Sequence, residues 1–294
     1  MFRGTYTALV TPFRNNQIDE AALGQLIEFQ IENGITGIIP VGTTGESPTL
    51  DHEEHIRVIE LAVKFARGRV KIIGGTGSNS TVEAIELTQE AEKVGADAAL
   101  LVAPYYNKPS QEGLFRHFKA IAAATKLPLI LYSIPGRCGI EIGVETMRRL
   151  AEACPNIVAI KESGGSIERV NALRAALPEE FDILSGDDFI TLSFMAAGAR
   201  GVISVASNIA PRDVVDMVAA AAAGKYDVAQ KMHERLYPLF RDLFIEPNPV
   251  PTKTALGWLG KISPEVRLPL CEMGEATSKK LRATLESLEL IKKS

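Results

Sequence analysis

Lys161 closes the apolar run Ile157, Val158, Ala159 and Ile160, and the loop Glu162, Ser163, Gly164, Gly165 follows it at once. An amine pressed against apolar walls is poorly solvated as a cation. Its pKa falls, and the neutral form can attack a carbonyl to give a Schiff base. A strand-end lysine can also snorkel to water, so the surroundings have to decide between the two. One unit earlier the run Leu129, Ile130, Leu131 ends in Tyr132, a second proton-handling side chain at the same edge of what should be one parallel sheet.

The elements that would carry this pair are regular. Apolar runs at 6–10, 37–41, 70–74, 98–102, 129–132, 157–161, 181–184 and 201–204 read as strands, with little alternation, as in a sheet buried on both faces. Amphipathic stretches near 19–33, 51–67, 80–94, 111–124, 144–153, 166–177, 188–197 and 211–223 fill the gaps. Eight such units match a (β/α)8 barrel of about 250 residues better than a doubly wound sheet. Ser80 and Glu83 have capping-box spacing, Asp51 and Asp188 sit where N-caps belong, and Gly34, Gly68 and Gly95 where helices should stop. Beyond Tyr226 only helical patterns remain, near 225–243, 250–260 and 275–291. The expected organisation is a catalytic barrel over 1–224 with a helical appendage, 225–294, packed on it.

In such a barrel the site forms from the loops after the strands. Gly42, Thr43, Thr44, Gly45, Glu46 and Ser47 follow the second strand, and Pro104, Tyr105, Tyr106 and Asn107 the fourth. The fifth leads into Ser133, Ile134, Pro135, Gly136 and Arg137, and the seventh into Ser185, Gly186, Asp187 and Asp188. Thr43 and Thr44 offer hydroxyls and backbone donors to a small carboxylate, or simply make a tight turn with N-caps. Arg137 has the fork for a second carboxylate, or for a surface ion pair. Tyr106 and Tyr132 could relay protons through Thr44, or be core tyrosines. Neither GxxxxGK[ST] nor GxGxxG occurs in these loops.

Composition excludes several other classes. Hydrophobic residues make up 46% and charged residues 23%, and with a net charge of −4 and no basic cluster nucleic acid is not the expected partner. Cys138, Cys154 and Cys271 are an odd set without metal spacing, which suits free thiols in a reducing compartment. No signal-peptide pattern opens the chain and no run approaches a membrane span, so a soluble cytoplasmic protein is expected.

Taken together, Gly42-Thr43-Thr44-Gly45-Glu46, Pro104-Tyr105-Tyr106-Asn107, the segment from Tyr132 to Arg137, Ile160-Lys161-Glu162, Ser185-Gly186-Asp187-Asp188 with Gly201-Val202-Ile203-Ser204, and the tail motif Glu246-Pro247-Asn248-Pro249 resemble the dihydrodipicolinate synthase family. The resemblance spans nearly the whole chain. It implies a (β/α)8 TIM barrel of the pyruvate-dependent class I aldolase type, in which Lys161 forms the Schiff base with pyruvate. Tyr132 would be proton donor and acceptor, linked through Thr44 to Tyr106 reaching in from a neighbouring subunit. Thr43 and Thr44 would hold the pyruvate carboxylate and Arg137 that of L-aspartate-β-semialdehyde, with backbone groups of Gly186 and Ile203 near Lys161. No metal or organic cofactor is implied, and a homotetramer built as a dimer of dimers is. Ser133 departs from the family's usual asparagine.

By the same resemblance Ser47, His52, His55, Asn79, Glu83 and Tyr105 match positions that bind the feedback inhibitor L-lysine, although Pro48 interrupts the first segment. His52 and His55 also suit a polar helix face, and Glu83 a capping box. Sister aldolases acting on N-acetylneuraminate, 2-keto-3-deoxy-gluconate or 4-hydroxy-2-oxoglutarate share the lysine and tyrosine, and a non-catalytic protein could retain the barrel. Arg137 and the two-tyrosine motif favour the synthase.

Overall fold

The computed structural model describes residues 2–292. Eight parallel strands close on themselves: β1 (Gly4–Ala8), β2 (Gly37–Ile39), β3 (Lys71–Gly75), β4 (Ala98–Val102), β5 (Leu129–Ser133), β6 (Ile157–Glu162), β7 (Asp182–Ser185) and β8 (Gly201–Ser204), with β8 paired back to β1. Around them lie α1 (Glu20–Glu32), α2 (His52–Ala66), α3 (Thr81–Lys93), α4 (Gln111–Ala123), α5 (Val144–Ala153), α6 (Ile167–Ala176), α7 (Thr191–Ala196) and α8 (Pro211–Ala222). The fold is the expected (β/α)8 barrel. Ends differ from the sequence reading by a residue or two in most strands: the apolar runs of β1 and β2 continue into buried turns, whereas β3, β5, β6 and β7 each extend one residue beyond theirs. A short antiparallel pair, Phe13–Arg14 with Gln17–Ile18, follows β1 and carried no signal in the sequence.

Successive side chains of a strand face opposite sides, and that alternation divides the apolar residues in two. Tyr6, Ala8, Ile39, Ile73, Leu100, Ile130, Ala159, Leu184 and Ile203 fill the barrel, closed at its base by Phe2. Leu101, Leu129, Leu131, Ile160 and Ile183 face the helices. Continuous apolar runs are therefore what a strand covered on both faces needs.

Helix ends follow local chemistry in part. Asp51 and Glu54 form a full capping box at α2, and Gly34, Gly68 and Gly95 take up left-handed φ of 79°, 70° and 91° after α1, α2 and α3. Two expected caps are corrected. Ser80 accepts from the Glu83 backbone, but the Glu83 carboxylate does not return to Ser80; it is bound by Ser78 and by His52. Asp188 caps no helix of its own. It is buried, and its Oδ2 accepts from the backbone N–H groups of Val205 (3.0 Å) and Ala206 (2.9 Å) after β8.

After the barrel come α9 (Tyr226–Asp242), α10 (Val250–Trp258) and α11 (Glu275–Ser287). Buried Asp242 accepts a 2.6 Å hydrogen bond from Thr284, joining α9 to α11. Among the described residues no helix is long and apolar enough to cross a membrane.

Candidate active site

Lys161 and Tyr132 are register partners on adjacent strands, so both project into the barrel at its C-terminal mouth. Ala159, two residues before Lys161, lies inside the barrel below it, while Ile160 and Glu162 point outward. Lys161 is 5% exposed, with Nζ 4.1 Å from the centre of the Tyr132 ring. Burial brings its pKa from 10.5 down to about 8 against the opposing pull of Asp187 and Asp188, and Arg137 lowers it further. Tyr132 is pushed the other way, above the ordinary phenol value, by burial and by the Asp187 charge. Outward-facing Glu162 is anchored separately: Arg169 Nε donates to it at 2.9 Å, as does the Gly164 N–H at 2.7 Å.

Around the amine the chain leaves no room for a Cβ. A methyl at Gly186 would come within 2.9 Å of Lys161 Cε, and nearer still to Ser163 Oγ. Beside it Asp187 lines the same pocket, and burial raises its carboxyl to about 6, against the nearby Lys161 charge. Asp187 belongs to the Ser185-Gly186-Asp187-Asp188 motif, yet nothing in the sequence assigned it a role; a carboxylate after a strand looks like any solvated loop residue.

Thr43 and Thr44 are set by a strained turn. Val41, a β-branched residue, has φ of 51°, a conformation costing about 1–3 kcal/mol. Gly45 packs so closely on it that a Cβ would meet Val41 N at 2.8 Å. This holds Thr44 buried and Thr43 half-buried in the pocket wall. Thr44 Oγ1 accepts a 2.9 Å hydrogen bond from Asn248 Nδ2, 204 positions away. Glu46, at the end of the same loop, is buried against Lys253: Nζ to Oε1 is 2.6 Å, and the Arg267 N–H donates to Oε2 at 3.0 Å.

Lys161, Tyr132, Thr43, Thr44, Arg137 and Gly186 line one pocket, together with Asp187 and Asn248. Ile203 does not line it; its side chain is buried in the barrel interior. Tyr106 is not brought to Thr44 within one chain. It is 91% exposed, with φ of 71°, and is not part of the pocket wall.

A second pocket adjoins the first. Ser47, His52, His55, Glu83 and Tyr105 line it, as do Pro48 and Ser78. His52 Nε2 lies 2.7 Å from Glu83, and these contacts with Ser78 and His52 hold the carboxyl below its usual range. His55 Nε2 lies 2.7 Å from the Gly75 carbonyl; burial lowers its pKa, so the neutral ring donates from Nε2. Asn79 is outside the wall and donates to the Tyr105 carbonyl at 3.1 Å.

Known proteins resemble the chain throughout. The profile of the dihydrodipicolinate synthetase family matches residues 1–288. A 4-hydroxy-tetrahydrodipicolinate synthase of Geotalea uraniireducens is 54% identical over 291 residues, 99% of this chain and 100% of that one. The solved 4-hydroxy-tetrahydrodipicolinate synthase of Methylacidiphilum fumariolicum SolV superposes with a TM-score of 0.97 at 58% identity, covering 98% of this chain and 96% of that one. Dihydrodipicolinate synthases have also been solved from Acinetobacter baumannii with pyruvate (46% identity, TM-score 0.97, 99% and 100% covered) and from Cyanidioschyzon merolae with lysine bound (41%, 0.96, 99% and 99%). With a barrel of the same shape and a match along almost its full length, this chain belongs to the dihydrodipicolinate synthetase family.

Proposed function

We propose that the protein condenses pyruvate with L-aspartate-β-semialdehyde to 4-hydroxy-tetrahydrodipicolinate, in the pathway to diaminopimelate and lysine. The observation that carries the mechanism is the buried Lys161 amine beside Tyr132 at the barrel mouth. The neutral amine adds to the pyruvate ketone, and water leaves to give an iminium, while Thr43 and Thr44 hold the carboxylate. As an electron sink the iminium releases a methyl proton and becomes an enamine. Its carbon attacks the aldehyde, oriented by Arg137 on the second carboxylate, and Tyr132 supplies the proton to the new alkoxide. The semialdehyde's own amine then displaces Lys161 by transimination and closes the ring.

Thr44 passes protons between Tyr132 and Tyr106, the latter supplied by a second copy of the chain. Its exposed position here supports that reading, and with it a homo-oligomer, a tetramer as dimer of dimers. L-Lysine is the ligand of the second pocket, its ammonium taken by Glu83 in place of His52. The relative crystallised with lysine supports this assignment. The enzyme works in the cytoplasm.

Trapping with borohydride and pyruvate, followed by peptide mapping, tests the proposal. An adduct on Lys161, absent in Lys161→Ala and discharged by the semialdehyde, is expected. An adduct that the semialdehyde leaves untouched would move the second substrate to a sugar acid.

A further inference from the structure

The Thr44 hydroxyl has one proton and two lone pairs. One lone pair is occupied by Asn248 Nδ2, which is 2.9 Å from Oγ1. A hydroxyl that receives a proton there has its own proton free to point elsewhere, and one acceptor position left for a second donor. Asn248 is itself 6% exposed and belongs to the pocket wall, and its Oδ1 receives no hydrogen bond among the described residues.

The same C-terminal segment holds the other end of the Thr44 loop. Lys253, fully buried on the first turn of α10, is bonded to Glu46, and its own N–H donates to the Pro249 carbonyl at 2.9 Å. Asn248 is thus fixed in place relative to the loop it serves.

We propose that Asn248 is a positioning residue: by donating to Thr44 Oγ1 it fixes which way that hydroxyl can pass a proton. It rests on the proposed relay role of Thr44. Thr44 then accepts from Asn248 throughout, and its remaining lone pair and single proton form the two ends of a one-in, one-out proton path. An acceptor at position 248 would seize the Thr44 proton and close that path.

Asn248→Asp keeps the shape and reverses the polarity; Asn248→Leu keeps the bulk and removes the donor. Each full-length variant is assayed for pyruvate adduct by borohydride trapping and for kcat with both substrates saturating, from pH 5.5 to 9. At pH 8 Asn248→Asp should lose at least about tenfold in kcat, as expected when an acid–base step is blocked, although the adduct still forms fully. Its kcat relative to wild type should recover as the pH falls, because the protonated carboxyl can donate again. Asn248→Leu should lose less, by a ratio that does not change with pH.

Wild-type kcat in Asn248→Asp at pH 8 would overturn the proposal, since an acceptor would then serve as well as a donor. So would a loss confined to KM for pyruvate, the mark of simple repulsion of its carboxylate. If Asn248→Asp does not fold, undiminished kcat in Asn248→Leu overturns it alone. Thr44→Val separates the two levels: if it retains kcat, the relay itself is refuted and this inference with it. A dead Thr44→Val beside a fully active Asn248→Asp refutes only the role of Asn248.

Discussion

The lowered pKa of Lys161 makes a quantitative demand on how pyruvate is captured. An ordinary lysine of pKa 10.5 is neutral to roughly 0.03% at pH 7, whereas one at about 8 is neutral to roughly 10%, a gain of about 300-fold in attacking amine. At low pyruvate, where adduct formation limits, the rate of cyanoborohydride-trapped product should therefore climb about tenfold per pH unit up to pH 7 and level off above about 8. Asp187 gives the sign of a second test. Its carboxylate favours the charged amine, so Asp187→Asn should move the midpoint of this profile to lower pH. That difference should fade below about pH 6, where Asp187 is itself protonated in the native protein. The assay is the pH dependence of trapped Lys161 peptide, quantified by mass, in both proteins. A rate still rising tenfold per unit at pH 10 would refute burial as the source of activation. An upward shift in Asp187→Asn would refute the electrostatic assignment.

Other consequences are equally direct. Gly186→Ala should reduce adduct formation severely while the barrel still folds, at a cost in stability of about 1–3 kcal/mol from overpacking, read by denaturant unfolding and trapping together. Lys253→Met should cost about 3–5 kcal/mol, because Glu46 is left charged and buried, and adding Glu46→Gln should restore much of it; equal losses in single and double variants would deny the pair that role. Arg137→Ala should raise KM for the semialdehyde far more than for pyruvate, and equal damage to both would reassign its fork. Calorimetry with L-lysine should show binding that Glu83→Ala abolishes and that matches in both proteins only if the second pocket binds something else.

What the sequence displays well is whatever depends on neighbours in the chain. Short apolar runs give all eight strands, and Lys161 and Tyr132 fall in register because each ends such a run. Features made by distant contacts are invisible at that level. Asp188 has the spacing of an N-cap but is claimed by the backbone after β8. Glu83 completes a capping-box pattern while its carboxylate is held by His52 on another helix. Asn248 sits in a motif visible in the sequence, but its bond to Thr44 spans most of the chain. Tyr106 reads in the sequence as a relay or a core tyrosine, and only the fold shows it standing in solvent.

Thr43, Ser47, Gly77, Val102, Ile134 and Arg137 belong to the walls of both pockets. Two ligands that share a wall cannot be thermodynamically independent if either one shifts it, and linkage makes their influence mutual. A molecule in the second pocket that weakens pyruvate by some factor must itself be weakened by pyruvate to the same degree. Communication of this kind needs no relay across the barrel: a partition of six shared residues, Arg137 among them, is enough to let ligands of the two pockets sense one another.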